Sequence, residues 1–233
     1  MPDQSEISYR RERALSQDFE LIETMRWTRA SGFYLLDEHI ERLRASALAL
    51  KFRFAAEPMW EALEHAIADF SAPVARLRLT LARDGRFCAA ATPIELPGIG
   101  TRWRVIIAST RLDSADPLLR FKTTRRAVYE DPLAVAQREQ GADEVIFCNE
   151  RAEICEGARS SFFLADGAHL LTPTLACGLL PGVLRAHLLA SGRAREAVLR
   201  SADLSAQSEL YMGNSVRGLV AADLLSPMRE GTG

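Results

Sequence analysis

The fold is decided by residues 141–163, which read GADEVIFCNERAEICEGARSSFF. The stretch contains short runs of β-branched and aromatic residues, and each run is bounded by turn or charged residues. Such runs are typical of strands joined by tight turns. Together with the similar runs that follow, they predict strands at 144–149, 152–156, 160–166, 169–173, 196–200 and 209–214. The second half of the chain is therefore predicted to be α+β and rich in strands.

On both sides of this stretch, segments in which apolar residues recur with a helical period alternate with segments in which they recur with a strand period. Helices are predicted at about 125–140 and from Gly182 to Ala190. The first half predicts a second α+β domain, in which Asp37 is a candidate helix N-cap. Its predicted elements are a strand at 19–29 with a hairpin partner at 33–35, helices at 37–50 and 57–70, a hairpin of 74–82 with 87–92, and a strand at 103–110.

Residues 111–121 lack a clean period and contain Asp116-Pro117, which marks them as a candidate interdomain linker. The predicted organisation is an N-terminal domain of residues 1–110 and a C-terminal domain of residues 122–233. A cleft between two domains is a common place for a ligand site.

The composition is that of a soluble globular protein, with 48% hydrophobic and 26% charged residues. A formal net charge of -2 gives no general attraction to nucleic acid or to an anionic membrane. No apolar run approaches the roughly 20 residues of a membrane-spanning helix. Residues 1–16 are polar and lack the apolar core of a secretory signal.

Four cysteines are present, without paired spacing or nearby histidines at zinc-binding distance along the chain: Cys88, Cys148, Cys155 and Cys177. This pattern predicts neither a disulfide framework nor a metal site. Buried free thiols in the reducing cytoplasm are the expectation for all four.

The basic residues are 27 arginines and two lysines, Lys51 and Lys122. A coding bias toward arginine explains most of this imbalance. Even so, a lysine retained in such a chain is a candidate for chemistry that arginine cannot perform, because a lysine amine can lose its proton and attack a carbonyl.

Four segments could carry chemistry. Lys122 follows the apolar residues Leu118, Leu119 and Phe121, which could desolvate its amine, although a solvated loop lysine or a simple anion site with Arg125 and Arg126 also fits. Glu156 ends an apolar strand before a glycine turn, although a strand-end glutamate taken alone is more often one that faces water.

The other two segments suit phosphate. Residues 178–185 (GLLPGVLR) open into a helix, whose first N–H groups bind anions, although they could form an ordinary turn. Residues 213–218 (GNSVRG) place two small hydrogen-bonding side chains and an arginine in a turn. An imine-forming amine, a carboxylate and phosphate-binding groups are the parts that pyridoxal phosphate (PLP) requires.

The chain resembles the fold-type IV PLP enzymes, which include branched-chain aminotransferases, D-amino acid aminotransferase and aminodeoxychorismate lyase. The resemblance extends from about Phe19 onward and rests on several stretches in matching order and spacing. They are IETMR (22–26), HIERLRAS (39–46), KTTRR (122–126), residues 141–163, GLLPGVLR (178–185) and GNSVRG (213–218). KTTRR and NSVRG most resemble the aminodeoxychorismate lyases, including the lyase portion of bifunctional para-aminobenzoate synthases.

The resemblance implies a two-domain α+β fold with the cofactor in the interdomain cleft. It also implies roles for individual residues. Lys122 would hold PLP as a Schiff base and act as general base, and Glu156 would lie at the pyridine nitrogen. The implied phosphate ligands are Arg42, Val183, Leu184, Asn214 and Ser215. His39 would be a packing or capping residue, and Lys51 a solvated residue at a helix end.

The resemblance further implies a homodimer that acts on a small amino substrate, with a para-aminobenzoate synthase component as a candidate partner. Family members usually begin with an additional strand or hairpin, which the charged segment 1–18 shortens or replaces here. The lyase portion of the fused synthases is similarly short at its start.

Three functions remain open. The favoured one is aminodeoxychorismate lyase, which releases pyruvate and para-aminobenzoate on the route to folate. The second is an aminotransferase acting on branched-chain or D-amino acids, and the third is a non-catalytic PLP-binding protein. Candidate anchors for substrate carboxylates are Arg159, Arg217 and Arg111, because a guanidinium fork matches a carboxylate.

Overall fold

The strands predicted around residues 141–163 are present in the computed structural model, which describes residues 19–205 and 207–225. The charged segment expected at 1–18 lies outside the described residues. The chain divides into two units. The described part of the first comprises residues 19–97, 115–126 and 215–218, and the second comprises the rest.

The first unit combines one antiparallel sheet with two helices. Its strands lie in the order β2-β1-β3-β4. The elements are β1 (Leu21–Thr28), β2 (Gly32–Phe33), α1 (Leu36–Leu50), α2 (Ala56–Ala68), β3 (Val74–Leu81) and β4 (Phe87–Pro93). All were predicted to within a few residues.

The core of the first unit forms where the apolar faces of both helices meet the sheet. Leu43, Ala47 and Leu50 recur at helical spacing along α1, and Met59 and Leu63 do so along α2. These side chains pack with alternate residues of β1 and β3 in one buried cluster. The helical period read from the sequence therefore identified the buried face.

The start of α1 differs from the prediction. The N-cap is Leu35, in the left-handed conformation with φ 56°, and Asp37 lies inside the first turn. Leu35 must turn the chain from β2 into the helix without a linking segment, and an acidic residue in the first turn still favours the helix dipole. Lys51 caps the other end and is exposed, as predicted.

The second unit contains a sheet of eight strands, in the order β10-β9-β8-β11-β12-β5-β6-β7. Its strands are β5 (Arg102–Leu112), β6 (Glu144–Asn149), β7 (Ile154–Gly157), β8 (Ser161–Asp166), β9 (His169–Pro173), β10 (Ala194–Ala197), β11 (Leu210–Asn214) and β12 (Gly218–Leu224). Its helices are α3 (Ala127–Gln140) and α4 (Val183–Ala190).

Six strands of this sheet close on themselves, because β7 also pairs with β8 through Glu156 and Ser161. The pairing runs through a tight turn, with Gly157 N–H donating to the carbonyl of Ser160 at 2.7 Å. A buried cluster built from β5, β6, β8 and β11 includes Val105, Ile146 and Phe162. Glu156 is thus carried by a strand whose partners on both sides are fixed.

The observed units have different boundaries from the predicted domains. β5 belongs to the second unit, because it pairs with β6 and β12. The predicted linker, 111–121, is divided between the units: residues 111 and 112 end β5, and residues 115–121, with the 3-10 helix Pro117–Arg120, join the first unit together with Lys122. The strand predicted at 196–200 occurs at Ala194–Ala197, and β12 had no counterpart among the predicted strands.

Among residues 19–205 and 207–225, we find no helix with the length and apolar character needed to span a membrane.

Candidate active site

In the first unit, the segment that carries Lys122 runs antiparallel to the start of β1. The carbonyl oxygen of Lys122 accepts a hydrogen bond from Ile22 N–H at 2.8 Å, and Thr123 pairs with Leu21. The hydroxyl of Thr124 then accepts from Glu20 N–H at 3.0 Å. The backbone of Lys122 is thereby fixed on a strand, and its side chain is half-buried.

Arg42 lies on α1 and pairs with a buried carboxylate, Glu23, one residue beyond Ile22. Arg42 Nε donates to Oε1 at 2.9 Å and Nη2 donates to Oε2 at 2.5 Å. Burial alone would raise the pKa of Glu23, but the charges of Arg42 and His39 and their hydrogen bonds lower it to about 2. Glu23 is therefore ionised, and it orients the arginine predicted to bind phosphate.

His39 connects Glu23 to Ser215. Its Nδ1 lies 2.5 Å from Glu23 Oε2, and its Nε2 lies 2.8 Å from Ser215 Oγ. Because an ionised carboxylate only accepts hydrogen bonds, Nδ1 carries a proton. Ser215 Oγ also donates to the carbonyl of Thr24 at 3.1 Å. His39 is 1% exposed, contacts one predicted site residue, Ser215, and reaches Arg42 through Glu23.

In the second unit, Glu156 ends β7 and is 7% exposed, so the water-facing alternative is wrong. Its Oε1 accepts from the hydroxyl of Tyr129 at 2.9 Å and from Leu180 N–H at 3.2 Å. A buried carboxylate needs such donors, because burial without them is costly. Leu180 belongs to the predicted phosphate segment, so that segment and Glu156 are neighbours.

The turn after Glu156 is held by a second buried carboxylate, Glu144, at the start of β6. Glu144 Oε1 accepts from Ala158 N–H at 3.0 Å, while Oε2 accepts from Arg159 N–H at 3.1 Å and from Ser160 Oγ at 2.9 Å. Burial raises the pKa of Glu144, and the donated hydrogen bonds oppose this shift.

The start of α4 has donors suited to an anion. Its N-cap residue is Gly182, so no side chain caps the first N–H groups, those of Val183 and Leu184. A Cβ on Gly182 would lie 2.5 Å from Ser161 Oγ, and a Cβ on Gly213 would lie 3.1 Å from Leu184 Cδ2. These close approaches bring the helix start next to β8 and next to the strand that ends in Asn214.

Asn214 faces the turn held by Glu144. Its amide nitrogen donates to the carbonyl of Arg159 at 3.1 Å and lies 3.4 Å from Ser160 Oγ. The second unit therefore brings together four of the predicted residues, Glu156, Val183, Leu184 and Asn214. The remaining three, Lys122, Arg42 and Ser215, meet around residues 22–24 of β1 in the first unit.

Two of the three candidate carboxylate anchors, Arg111 and Arg159, lie at different ends of β6. Arg159 forms an ion pair with Glu130 of α3. Arg111 lies opposite Cys148 in the β5–β6 register, whereas Arg159 donates to Glu144 at the other end of β6. Four residues of strand separate these ends by about 13 Å. Arg217 is half-buried and belongs to the first unit.

Sequence reasoning missed three contributors, Glu23, Tyr129 and Glu144. Glu23 carried a usable signal, since side chains alternate between the faces of a strand and Glu23 shares one face of the predicted strand with the apolar residues Leu21 and Met25. Glu144 similarly begins the apolar run of β6. Tyr129 gave no signal, because a tyrosine in the first turn of an amphipathic helix is ordinary.

Comparison with known proteins identifies the family in which this arrangement of residues occurs. The family model described as amino-transferase class IV matches residues 20–224. The chain belongs to the class IV aminotransferase family. It is therefore an enzyme of the fold-type IV, PLP-dependent class, and the predicted α+β fold and cofactor are confirmed.

Two solved structures and one curated protein illustrate the range of class IV relatives. A "Putative amino-acid aminotransferase" from Mesorhizobium loti is 45% identical, with a TM-score of 0.84 over 89% of this chain and 100% of that chain. A "hypothetical aminotransferase" from Mycobacterium tuberculosis, in a form with α-ketoglutarate and PMP bound, is 26% identical, with a TM-score of 0.75 over 88% and 81%. A "Putative aminodeoxychorismate lyase" from Schizosaccharomyces pombe is 25% identical over 79% of this chain and 81% of its own length.

The residues present fit the class IV cofactor. The second unit offers a buried carboxylate for the pyridine nitrogen and uncapped N–H groups beside two close-packed glycines for a phosphate. The first unit offers a lysine amine on a fixed backbone and a guanidinium oriented by Glu23.

Proposed function

We propose that this class IV enzyme is an aminodeoxychorismate lyase, which converts 4-amino-4-deoxychorismate into para-aminobenzoate and pyruvate. The observation that carries the proposal is the likeness to the curated protein named as such a lyase, which extends over 79% of this chain. The KTTRR and NSVRG motifs support the same subgroup.

The proposed roles follow from the two groups of residues. Lys122 attaches the cofactor through its side-chain amine, and Glu156 lies at the pyridine nitrogen. The phosphate is bound by Arg42, Val183, Leu184, Asn214 and Ser215. A carboxylate held by Tyr129 and Leu180 and a guanidinium held by Glu23 are already oriented, so little ordering is required when the cofactor binds.

PLP supplies an aromatic ring that accepts electrons from the substrate carbon next to the amine. The carboxylate of Glu156 holds a proton on the ring nitrogen, which strengthens that acceptor. The amine of Lys122 takes the proton from the substrate carbon as general base. The bond to the enolpyruvyl oxygen then breaks, the ring of the product becomes aromatic, and the departing group takes up a proton to leave as pyruvate.

The substrate's carboxylates need cationic partners, and the three candidate arginines differ in their surroundings. Arg159 already forms an ion pair with Glu130, which competes with a substrate for its guanidinium. Arg111 and the backbone of Arg159 lie near opposite ends of β6. Arg217 is two residues after Ser215 and is the nearest of the three in sequence to the phosphate ligands, which makes it the anchor we favour.

A second candidate function is amino transfer between an amino acid and a keto acid. The observation that favours it is the 45% identity to the structure titled as an amino-acid aminotransferase. Lys122 and Glu156 would serve both reactions, because both begin with removal of the same proton. The difference lies in where a proton is returned and in which substrate the arginines accept.

Product analysis of the purified, PLP-loaded protein separates these functions. One reaction contains 4-amino-4-deoxychorismate, and another contains a panel of L- and D-amino acids with a keto-acid acceptor. Para-aminobenzoate and pyruvate from the first reaction, with no amino transfer in the second, are expected of the lyase. Amino transfer without para-aminobenzoate would establish the second candidate, and no product in either reaction would overturn both candidates.

A further inference from the structure

The hydroxyl of Tyr129 and the backbone N–H of Leu180 converge on one oxygen of Glu156. Both donate to Oε1, at 2.9 Å and 3.2 Å. Tyr129 is 8% exposed and Glu156 is 7% exposed, so bulk water does not screen the contact. Hydrogen bonds donated to a buried carboxylate stabilise its charged form and fix its orientation.

The position of the Tyr129 hydroxyl is set by packing. Tyr129 lies in the first turn of α3, and its ring packs edge-to-face on Phe147, with centroids 5.3 Å apart and an interplanar angle of 81°. Phe147 is fully buried on β6, the strand that pairs with β7, which carries Glu156. A phenylalanine at position 129 would keep the ring contact and lose only the donor.

We propose that Tyr129 is a positioning residue for the reaction, acting through Glu156. This inference rests on the proposed role of Glu156 at the pyridine nitrogen. The tyrosine hydroxyl keeps the carboxylate charged and pointed in one direction, so that it holds the proton on the cofactor ring throughout the reaction. Loss of that donor removes one of the hydrogen bonds that stabilise the charged carboxylate and fix its orientation.

The test is a double-mutant cycle of Tyr129→Phe and Glu156→Gln on the PLP-loaded protein. The readouts are kcat, KM, and the pH dependence of the bound cofactor's absorbance. A hydrogen bond to a charged group corresponds to a loss of about tenfold or more in kcat for Tyr129→Phe. We expect KM to change little and the cofactor's absorbance transition to shift in pH. In the Glu156→Gln background, Tyr129→Phe should have no further effect.

Tyr211→Phe is the matched control, since Tyr211 lies on β11 of the same unit and is half-buried. It should leave all three readouts unchanged, which separates the loss of a hydroxyl in general from the loss of this one.

The outcomes distinguish this inference from the function on which it rests. If Glu156→Gln reduces kcat and Tyr129→Phe does not, the positioning role of Tyr129 is overturned alone. Additive losses in the double variant also overturn it, because Tyr129 would then act elsewhere. If Glu156→Gln itself leaves kcat and the absorbance unchanged, the assignment of Glu156 fails and the role of Tyr129 fails with it.

Discussion

Arg42 holds both oxygens of Glu23, donating from Nε at 2.9 Å and from Nη2 at 2.5 Å. The side chain of Glu23 is 2% exposed and that of Arg42 is 12% exposed, so the pair is largely withdrawn from water. Removing one member of such a charge pair is costly, because the other charge then stays buried without its partner. The arginine proposed to bind phosphate is therefore also a structural residue.

Arg42→Ala should lower the free energy of unfolding of the cofactor-free protein by about 3 kcal/mol, because Glu23 is left buried without its main partner. Chemical denaturation measures this loss. The double variant Glu23→Gln with Arg42→Ala should recover part of the stability, yet bind PLP as weakly as Arg42→Ala. Normal PLP affinity in the double variant would contradict the phosphate role.

Acid should weaken the first unit through Glu23. Its pKa is lowered from an ordinary value of 4.5 to about 2 in the folded protein, so its contribution is complete above about pH 4.5 and declines as the pH falls toward 2. The full shift corresponds to about 3 kcal/mol. Unfolding free energies of wild type and Glu23→Gln should therefore converge between pH 4.5 and 2. Parallel curves over that interval would refute the linkage.

Lys122→Ala should reduce turnover by at least about a thousandfold, since it removes both the attachment point and a general base. Lys122→Arg should do the same, because arginine cannot form an imine. Product formation and the absorbance of the bound cofactor measure the effect. Lys51→Ala, at the exposed end of α1, is the control and should retain full activity. Activity in either Lys122 variant would exclude the mechanism.

Gly213→Ala should disturb the start of α4. The added Cβ would lie 2.9 Å from Leu219 Cδ2 and 3.1 Å from Phe163 Cε2 and Leu184 Cδ2, in a region without free space. Overpacking of this kind costs about 1–3 kcal/mol. We expect a lower unfolding temperature together with weaker PLP binding, measured by titration of the cofactor-free protein.

Gly98→Ala provides the control for that substitution, because its Cβ would meet only Thr101 Oγ1, at 3.9 Å. Equal effects of the two alanine substitutions would show that packing against Leu184 is not the cause.

Much of the fold could be predicted, because the spacing of apolar residues and the residues that favour turns are local features of the sequence. The alternation of apolar and polar residues in 74–82 predicted a hairpin with 87–92 that is present. β12 escaped prediction, because GLVAADL mixes small and acidic residues and follows a segment interpreted as a phosphate turn. The order of strands in the larger sheet depends on pairings between distant residues, which no local pattern reveals.

The candidate site also has features that could be predicted from the sequence and features that could not. Lys122 and Glu156 could be proposed from the sequence, one from the scarcity of lysine and the other from its place at a strand end, and both from motifs. The hydrogen-bond partners that orient these candidate residues were not predictable. Arg42 is oriented by Glu23, which lies 19 positions away in the sequence. Glu156 is oriented by Tyr129, which lies 27 positions away.

The first unit is assembled from interleaved segments of chain, and its segment 215–218 follows residues 98–114 and 127–214 of the second unit in the sequence. During synthesis, the hydroxyl of Ser215 can therefore reach His39 only after those residues of the second unit have been made. Until then, the buried Glu23–His39 network lacks this partner. A chain that stops before residue 215 would carry Lys122 and Arg42 but could not finish the unit that holds them.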